Sequence, residues 1–353
     1  MKSVRDIPSK RIWNFLHADT GFRIHMMFSC LLLSAFGICN AVSIWNIGQF
    51  VSNVPEINVS VATPQKFHDS LKIVPFVIRG FHDTLDSMAE KVGYNRNDSV
   101  SWFESLFGET KLDSLEGELH ETRLAPFIEN IKWKYFFEKY RRIDMYGVSR
   151  VPLVFREYLR LLPLFSCGGK LDRMQPPYIW VSGGMASSKS VVHVDNSNNQ
   201  HCVLKGSKSF MLIPPYIKVN SPEFGWLVVD GTEEPVPEGF NEAYGEYAAL
   251  IDTDDIDLDR FPGWKEVPWL RADLNAGDCI YMPAEWFHYV ESKPEITVSW
   301  HNWFAFPDTW TDECIAEDAG TSISPSQCHY QSDYLTNSTP KIWHPNITSK
   351  CDL

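Results

Sequence analysis

Beyond Pro176 the chain breaks into short runs rich in β-branched and aromatic residues: Tyr178–Ser182, Val191–Asp195, Gln200–Leu204, Ser207–Ile213, Leu227–Val229, Ala272–Leu274, Cys279–Met282 and Ile296–Trp303. Runs of this length with turn-forming residues between them are strand signals, and many short strands joined by tight turns close into two facing sheets. Lys205-Gly206 and Ala276-Gly277-Asp278 supply the punctuation expected of sheet connections. This half of the chain is therefore expected to form a double-sheet barrel.

The first half reads differently. Thr63-Pro64 opens a short helix over Gln65–Lys72, with Thr as cap and Pro in the first turn. A strand follows at Pro75–Arg79, ending at Gly80, and Thr84–Val92 reads as helix. Asn95–Glu118 is acidic and polar and is expected to be an exposed excursion. From Pro126 to Phe165, Tyr135, Phe136, Tyr140, Val154, Tyr158 and Leu161 recur at helical spacing and predict core-facing helices. The acidic Ile251–Leu258 reads as a solvated insertion loop, because it lacks the glycine turn of an EF-hand.

With 353 residues, 44% of them hydrophobic, the chain can bury a large core. Its net charge of -13 argues against a nucleic-acid partner, which requires clustered Lys and Arg to neutralise phosphates. Met26–Trp45 is twenty mostly apolar residues without a charge. At about 1.5 Å per residue that is enough for a bilayer core. Lys2, Arg5, Lys10, Arg11 and Arg23 precede it against Asp6 and Asp19, so the expected topology is type II, with everything after the span in the secretory-pathway lumen, the endoplasmic reticulum included. A cleaved signal peptide, with secretion of the remainder, is the alternative. The expected organisation is a cytosolic 1–23, a signal anchor over 24–45, a spacer over 46–62, a main domain over 63–306 and a polar tail over 307–353. Sequons at Asn58, Asn97, Asn337 and Asn346 all follow the apolar segment, as a glycoprotein of that topology requires. Cys314, Cys328 and Cys351 are the expected disulfide partners, whereas Cys202 and Cys279 lie in apolar strands and read as buried thiols.

Chemistry concentrates in Val191–Pro215, VVHVDNSNNQHCVLKGSKSFMLIPP, and in PAEWFHYVES downstream. Side chains two apart on a strand share a face, so His193 and Asp195 can reach one metal ion. His288 supplies a third ligand, with Trp286 and Phe287 as a dry wall. Two imidazoles and one carboxylate on one face suit Fe(II) and leave positions open for cosubstrate and oxygen. Lys208 shares a strand face with the core residues Phe210 and Leu212, where an unpaired ammonium is costly. It therefore calls for an anion, such as the distal carboxylate of 2-oxoglutarate. No convincing Ser-His-Asp or Cys-His arrangement is present.

Val191–Pro215 and Gly277–Phe304 closely resemble the JmjC, or cupin-like, 2-oxoglutarate oxygenases, in particular their small hydroxylase branch. TPQKFHDSLKIVPFVIRG is similar to that branch's entry segment, and the resemblance runs over roughly Thr63–Phe306. It implies a mainly β fold with α additions: a double-stranded β-helix, or jelly roll, flanked by N-terminal helices. It also implies an iron triad of His193, Asp195 and His288, with Lys208 on the 2-oxoglutarate distal carboxylate. Ser190 falls where the family often shares that carboxylate, and Asn199 where it keeps a polar residue near the cosubstrate. TVSWHNWF resembles the family's last strand, with Ser299 in place of an Asn and Asn302 as a possible substitute. No residue matches the tyrosine that commonly completes the pocket. The implied activity is that of a 2-oxoglutarate-dependent dioxygenase acting with molecular oxygen on a protein side chain. A non-catalytic scaffold of the same fold, from a different functional class, and an N-methyl demethylase are the alternatives.

Overall fold

The computed structural model describes residues 42–58, 71, 73–116, 118–119, 122–123, 132–140, 146–160, 162, 177–184, 187–195, 197–217, 222–224, 227–229, 246–249 and 251–304. Residues 42–46 with 254–256 group into one small unit, and the remaining described residues form the second, which carries the site. Most of the apolar Met26–Trp45, the helix expected at Gln65–Lys72 and the tail with Cys314, Cys328 and Cys351 lie outside the described residues. Among the described residues no helix is long and apolar enough to cross a membrane.

The strands are β1 Gln49–Asn53, β2 Phe76–Ile78, β3 Ser114–Glu116, β4 Glu118–Leu119, β5 Thr122–Arg123, β6 Tyr146–Arg150, β7 Tyr178–Gly183, β8 Ser188–Lys189, β9 His193–Asp195, β10 Asn198–Lys205, β11 Ser207–Ile213, β12 Leu227–Val229, β13 Glu246–Ala249, β14 Pro268–Asn275, β15 Cys279–Met282, β16 Phe287–Ser292 and β17 Ile296–Phe304. One sheet runs β1-β14-β11-β16-β9-β13-β12, with β8 also on β16; the other runs β2-β15-β10-β17-β7-β6-β3; β4 and β5 pair separately. Within the two large sheets every ladder is antiparallel except β1 with β14. Val77, Val203, Ile280 and Met282 from the second sheet pack with Phe210, Leu212, Ala272, Leu274 and Val290 from the first, so the inward faces share one core. That is the jelly-roll arrangement expected from the strand pattern.

Helices cover the outer face of the second sheet. Helix Leu85–Lys91 starts on Thr84, whose hydroxyl accepts from the Ser87 N–H at 3.1 Å. It ends at Val92 and Gly93, the glycine at φ 88°. A second helix, Ser99–Phe107, lies inside the segment expected to be an exposed excursion. Its Trp102, Phe103 and Phe107 are buried against Ile179, Val181, Leu204 and Trp300. Burial of roughly 1.5–3 kcal/mol for each such side chain outweighs the polar, acidic flanks that dominate the local composition.

Two further expectations are corrected. Tyr146–Arg150, inside the stretch read as helical, is strand β6 between β7 and β3, and Tyr135 is exposed while Phe136 is buried. Part of the expected spacer, Gln49–Asn53, is a sheet strand. Gly206 turns β10 into β11 at φ 73°, where a Cβ would lie 2.6 Å from Thr297 Oγ1. The turn thus requires glycine, and it sets the phase in which Lys208 faces inward.

Cys202 and Cys279, expected as thiols, form a disulfide. Each reads locally as an apolar strand residue, but the β10–β15 register places them directly opposite one another. The bridge closes a loop with a sequence separation of 77. On the chain-entropy account such a loop stabilises by about 4–5 kcal/mol. Replacing both cysteines by alanine is expected to lower the midpoint of chemical denaturation accordingly; an unchanged midpoint would mean that the thiols are unpaired in solution.

Candidate metal centre

Strand β9 is three residues long and places His193 and Asp195 on one face. Its antiparallel neighbour β16 sets His288 directly opposite His193, with the imidazole centroids 4.1 Å apart. One ligand atom from each of His193, Asp195 and His288 lies within 4.8 Å of the other two. The backbone leading into β16 is tightly held. Glu285 adopts φ 69°, and its N–H donates to the Asp195 carbonyl at 2.9 Å, while Ala284 N–H donates to the Asn198 side chain at 3.1 Å.

Hydrogen bonding fixes the tautomers. His193 Nδ1 meets the Val191 carbonyl at 2.9 Å and His288 Nδ1 meets the Trp286 carbonyl at 3.0 Å. A carbonyl only accepts, so Nδ1 of each ring carries a proton, and in the neutral form of either ring Nε2 is the nitrogen with a ligating lone pair. Burial first and His193 second push the His288 pKa down to about 4. The 3.8 Å approach of His288 Nε2 to Asp195 Oδ2 is therefore a meeting of two lone-pair donors, not an ion pair. Asp195 is 6% exposed and its Oδ1 is buried without a hydrogen-bond partner. Two imidazoles and a buried carboxylate whose ligand atoms converge in this way fit a divalent cation.

Lys208 lies on β11, buried, with the Tyr146 ring 4.3 Å from Nζ. Burial alone pushes its pKa down to about 7. Among the described residues no carboxylate lies against it. Tyr146, on the unforeseen strand β6, donates its hydroxyl to the Ser188 carbonyl at 2.6 Å and lies 3.0 Å from Ser292 Oγ. Burial raises its pKa, so the phenol stays protonated. It is the tyrosine beside Lys208 that motif matching did not find, because its alternation is hidden in an aromatic run with helical spacing.

The other expected site residues divide. Asn199 is buried, and its Nδ2 approaches Asp195 Oδ2 at 3.4 Å. Ser299 is fully buried with Oγ unpartnered. The Ser190 hydroxyl accepts from the Val290 N–H at 2.9 Å, which ties it to β16. Asn302 is one residue out of phase with Ser299 on β17, so it takes the opposite face and does not substitute for it. Sequence reasoning missed His201, His301 and Trp303. His201 and His301 sit opposite each other across β10 and β17, and burial drives both below the usual histidine range. Trp303 Nε1–H donates to Asp195 Oδ2 at 2.8 Å.

The profile of the cupin-like domain family matches residues 81–309, which include every residue of this site. The chain belongs to that family. This cupin-like domain is 33% identical over 118 residues to the human bifunctional peptidase and (3S)-lysyl hydroxylase JMJD7, covering 31% of this chain and 36% of that protein. It is 30% identical over 117 residues to Jumonji C domain-containing protein 5 of Drosophila melanogaster, covering 33% and 25%. With the lysine-specific demethylase JMJ30 of Arabidopsis thaliana it shares 26% identity over 147 residues, covering 38% and 30%. The match thus spans about a quarter to a third of the curated relatives' length.

Proposed function

We propose that this cupin-like domain is an Fe(II)- and 2-oxoglutarate-dependent oxygenase that hydroxylates a protein side chain. The observation carrying this reading is the convergence of His193, Asp195 and His288, one ligand atom from each lying within 4.8 Å of the other two. The buried ammonium of Lys208, which lacks a carboxylate partner among the described residues, supports a dicarboxylic oxoacid as cosubstrate. Ferrous iron held there would couple decarboxylation of the oxoacid by molecular oxygen to insertion of one oxygen atom into a substrate C–H bond. The chain's own residues hold the ion and anchor the distal carboxylate through Lys208, and Trp286, packed on the core shared by the two sheets, adds apolar cover. Support for a protein substrate comes from the human relative named as a lysyl hydroxylase. N-methyl demethylation is the second reading, favoured by the relative named as a lysine-specific demethylase, and it draws on the same residues.

The reading includes a luminal placement behind a signal anchor at 24–45. The Cys202–Cys279 disulfide supports an oxidising compartment, and the exposed Asn97 is a sequon asparagine within reach of a glycosyltransferase. Endoglycosidase treatment of the chain expressed in a secretory host checks the placement; a chain that never carries glycan would refute it.

Because β1 is part of the sheet, the test of activity uses the full-length chain. Wild type is expected to bind Fe(II) anaerobically and to convert 2-oxoglutarate to succinate, with His193→Ala losing both. A wild-type chain that binds neither iron nor 2-oxoglutarate would transfer the case to a scaffold role.

A further inference from the structure

We infer that Trp303 is a positioning residue for Asp195, and that His301 holds the Trp303 indole in place. The inference rests on the metal reading above. Strand alternation turns Ser299, His301 and Trp303 toward the barrel interior. Trp303 Nε1–H, a pure donor, reaches Asp195 Oδ2 at 2.8 Å. Asn199 approaches the same oxygen at a weaker 3.4 Å, and Oδ1 has no partner. One carboxylate oxygen is thus pinned by an indole whose strand is paired to β10, not to β9.

The indole is itself clamped. Its ring lies 4.3 Å from the His301 ring, and Tyr178 packs on the Trp303 and His301 rings at 5.6 and 5.7 Å. His301 Nδ1 accepts the Trp180 Nε1–H at 3.1 Å, which fixes the ring orientation and leaves its proton on Nε2. Asp195 ends a strand of only three residues, so ladder bonds alone constrain its carboxylate little. The second sheet, through Trp303, supplies the constraint that the first lacks. Groups that orient a ligand in this way typically change metal affinity about 10–100-fold when removed.

The test is Co(II) titration of the full-length chain, followed by calorimetry and by the visible absorption of the bound ion. Trp303→Phe keeps an aromatic ring against His301 but removes the N–H. It is expected to weaken Co(II) binding about 10–100-fold and to alter the absorption band, with the melting temperature close to wild type. Trp269→Phe removes a different buried indole donor, the one that gives its N–H to the Ile47 carbonyl at 2.9 Å, and is expected to bind Co(II) like wild type. Equal affinity of Trp303→Phe and wild type overturns the inference, as does equal weakening in both tryptophan variants. If Trp303→Phe fails to fold, His301→Leu provides the reading: weaker Co(II) binding supports the clamp and unchanged binding overturns it. A wild-type chain that takes up no Co(II) overturns the metal reading and this inference together.

Discussion

Lys208→Met is expected to stabilise the ligand-free protein and to abolish its binding of 2-oxoglutarate. The lysine is 2% exposed, it packs on the Tyr146 ring, and burial brings its pKa from 10.5 to about 7. A basic group whose pKa is lower in the folded chain than in the unfolded one opposes folding wherever the unfolded chain holds the extra proton. Here that is below about pH 10.5, and the opposition is complete below about pH 7. A depression of this size corresponds to a cost of roughly 5 kcal/mol at neutral pH, as an order of magnitude. Methionine fills similar volume without the charge. Between pH 7 and 10.5 the wild type should become more stable as pH rises, and the variant should lose that slope. Denaturant unfolding of both proteins across this range measures the difference, and a variant less stable than wild type at pH 7 would contradict the argument. Binding of a dicarboxylate beside Lys208 should draw a proton onto it, so calorimetry in buffers of different ionisation enthalpy should detect proton uptake near pH 8.

Asp195→Asn is expected to abolish metal binding while leaving the metal-free fold intact. The asparagine carbonyl can still accept the Trp303 N–H, so the contact between the sheets survives. What disappears is the negative charge beside the two imidazoles, and with it the anionic ligand. The loss of Co(II) affinity should exceed the roughly 10–100-fold that a supporting residue costs. Affinity within tenfold of wild type would show that the ion, if bound, is held elsewhere. Because Asp195 Oδ1 is buried without a partner, the thermal midpoint of the metal-free variant should equal or exceed that of metal-free wild type.

Much of the second half of the fold was legible because a strand reports its own period. The runs at Ser207–Ile213, Leu227–Val229 and Cys279–Met282 occupy the ranges read from sequence, and helix Leu85–Lys91 starts on its Thr84 cap. Where signals conflicted, packing decided. Tyr146–Arg150 is short, sits among aromatics with helical spacing, and becomes a strand because β7 offers it a ladder. The helix Ser99–Phe107 was obscured by the charged residues around it. Strand β16 lacked that periodic signal, because Phe287–Ser292 is buried at nearly every position and does not alternate cleanly between apolar and polar residues.

By itself the sequence determined what is local: a predominantly β second half, the shared face of His193 and Asp195, and a lysine in phase with core residues. Those follow from the two-residue period of a strand, which any short window contains. Only the tertiary structure decided which distant partners meet. His288 opposite His193, Cys202 bridged to Cys279, Tyr146 against Lys208, and Trp303 reaching Asp195 from 108 residues away all depend on ladder register and on how the two sheets close. Register is set by the sum of many weak cross-strand contacts and by turns such as Gly206, so no single segment carries it.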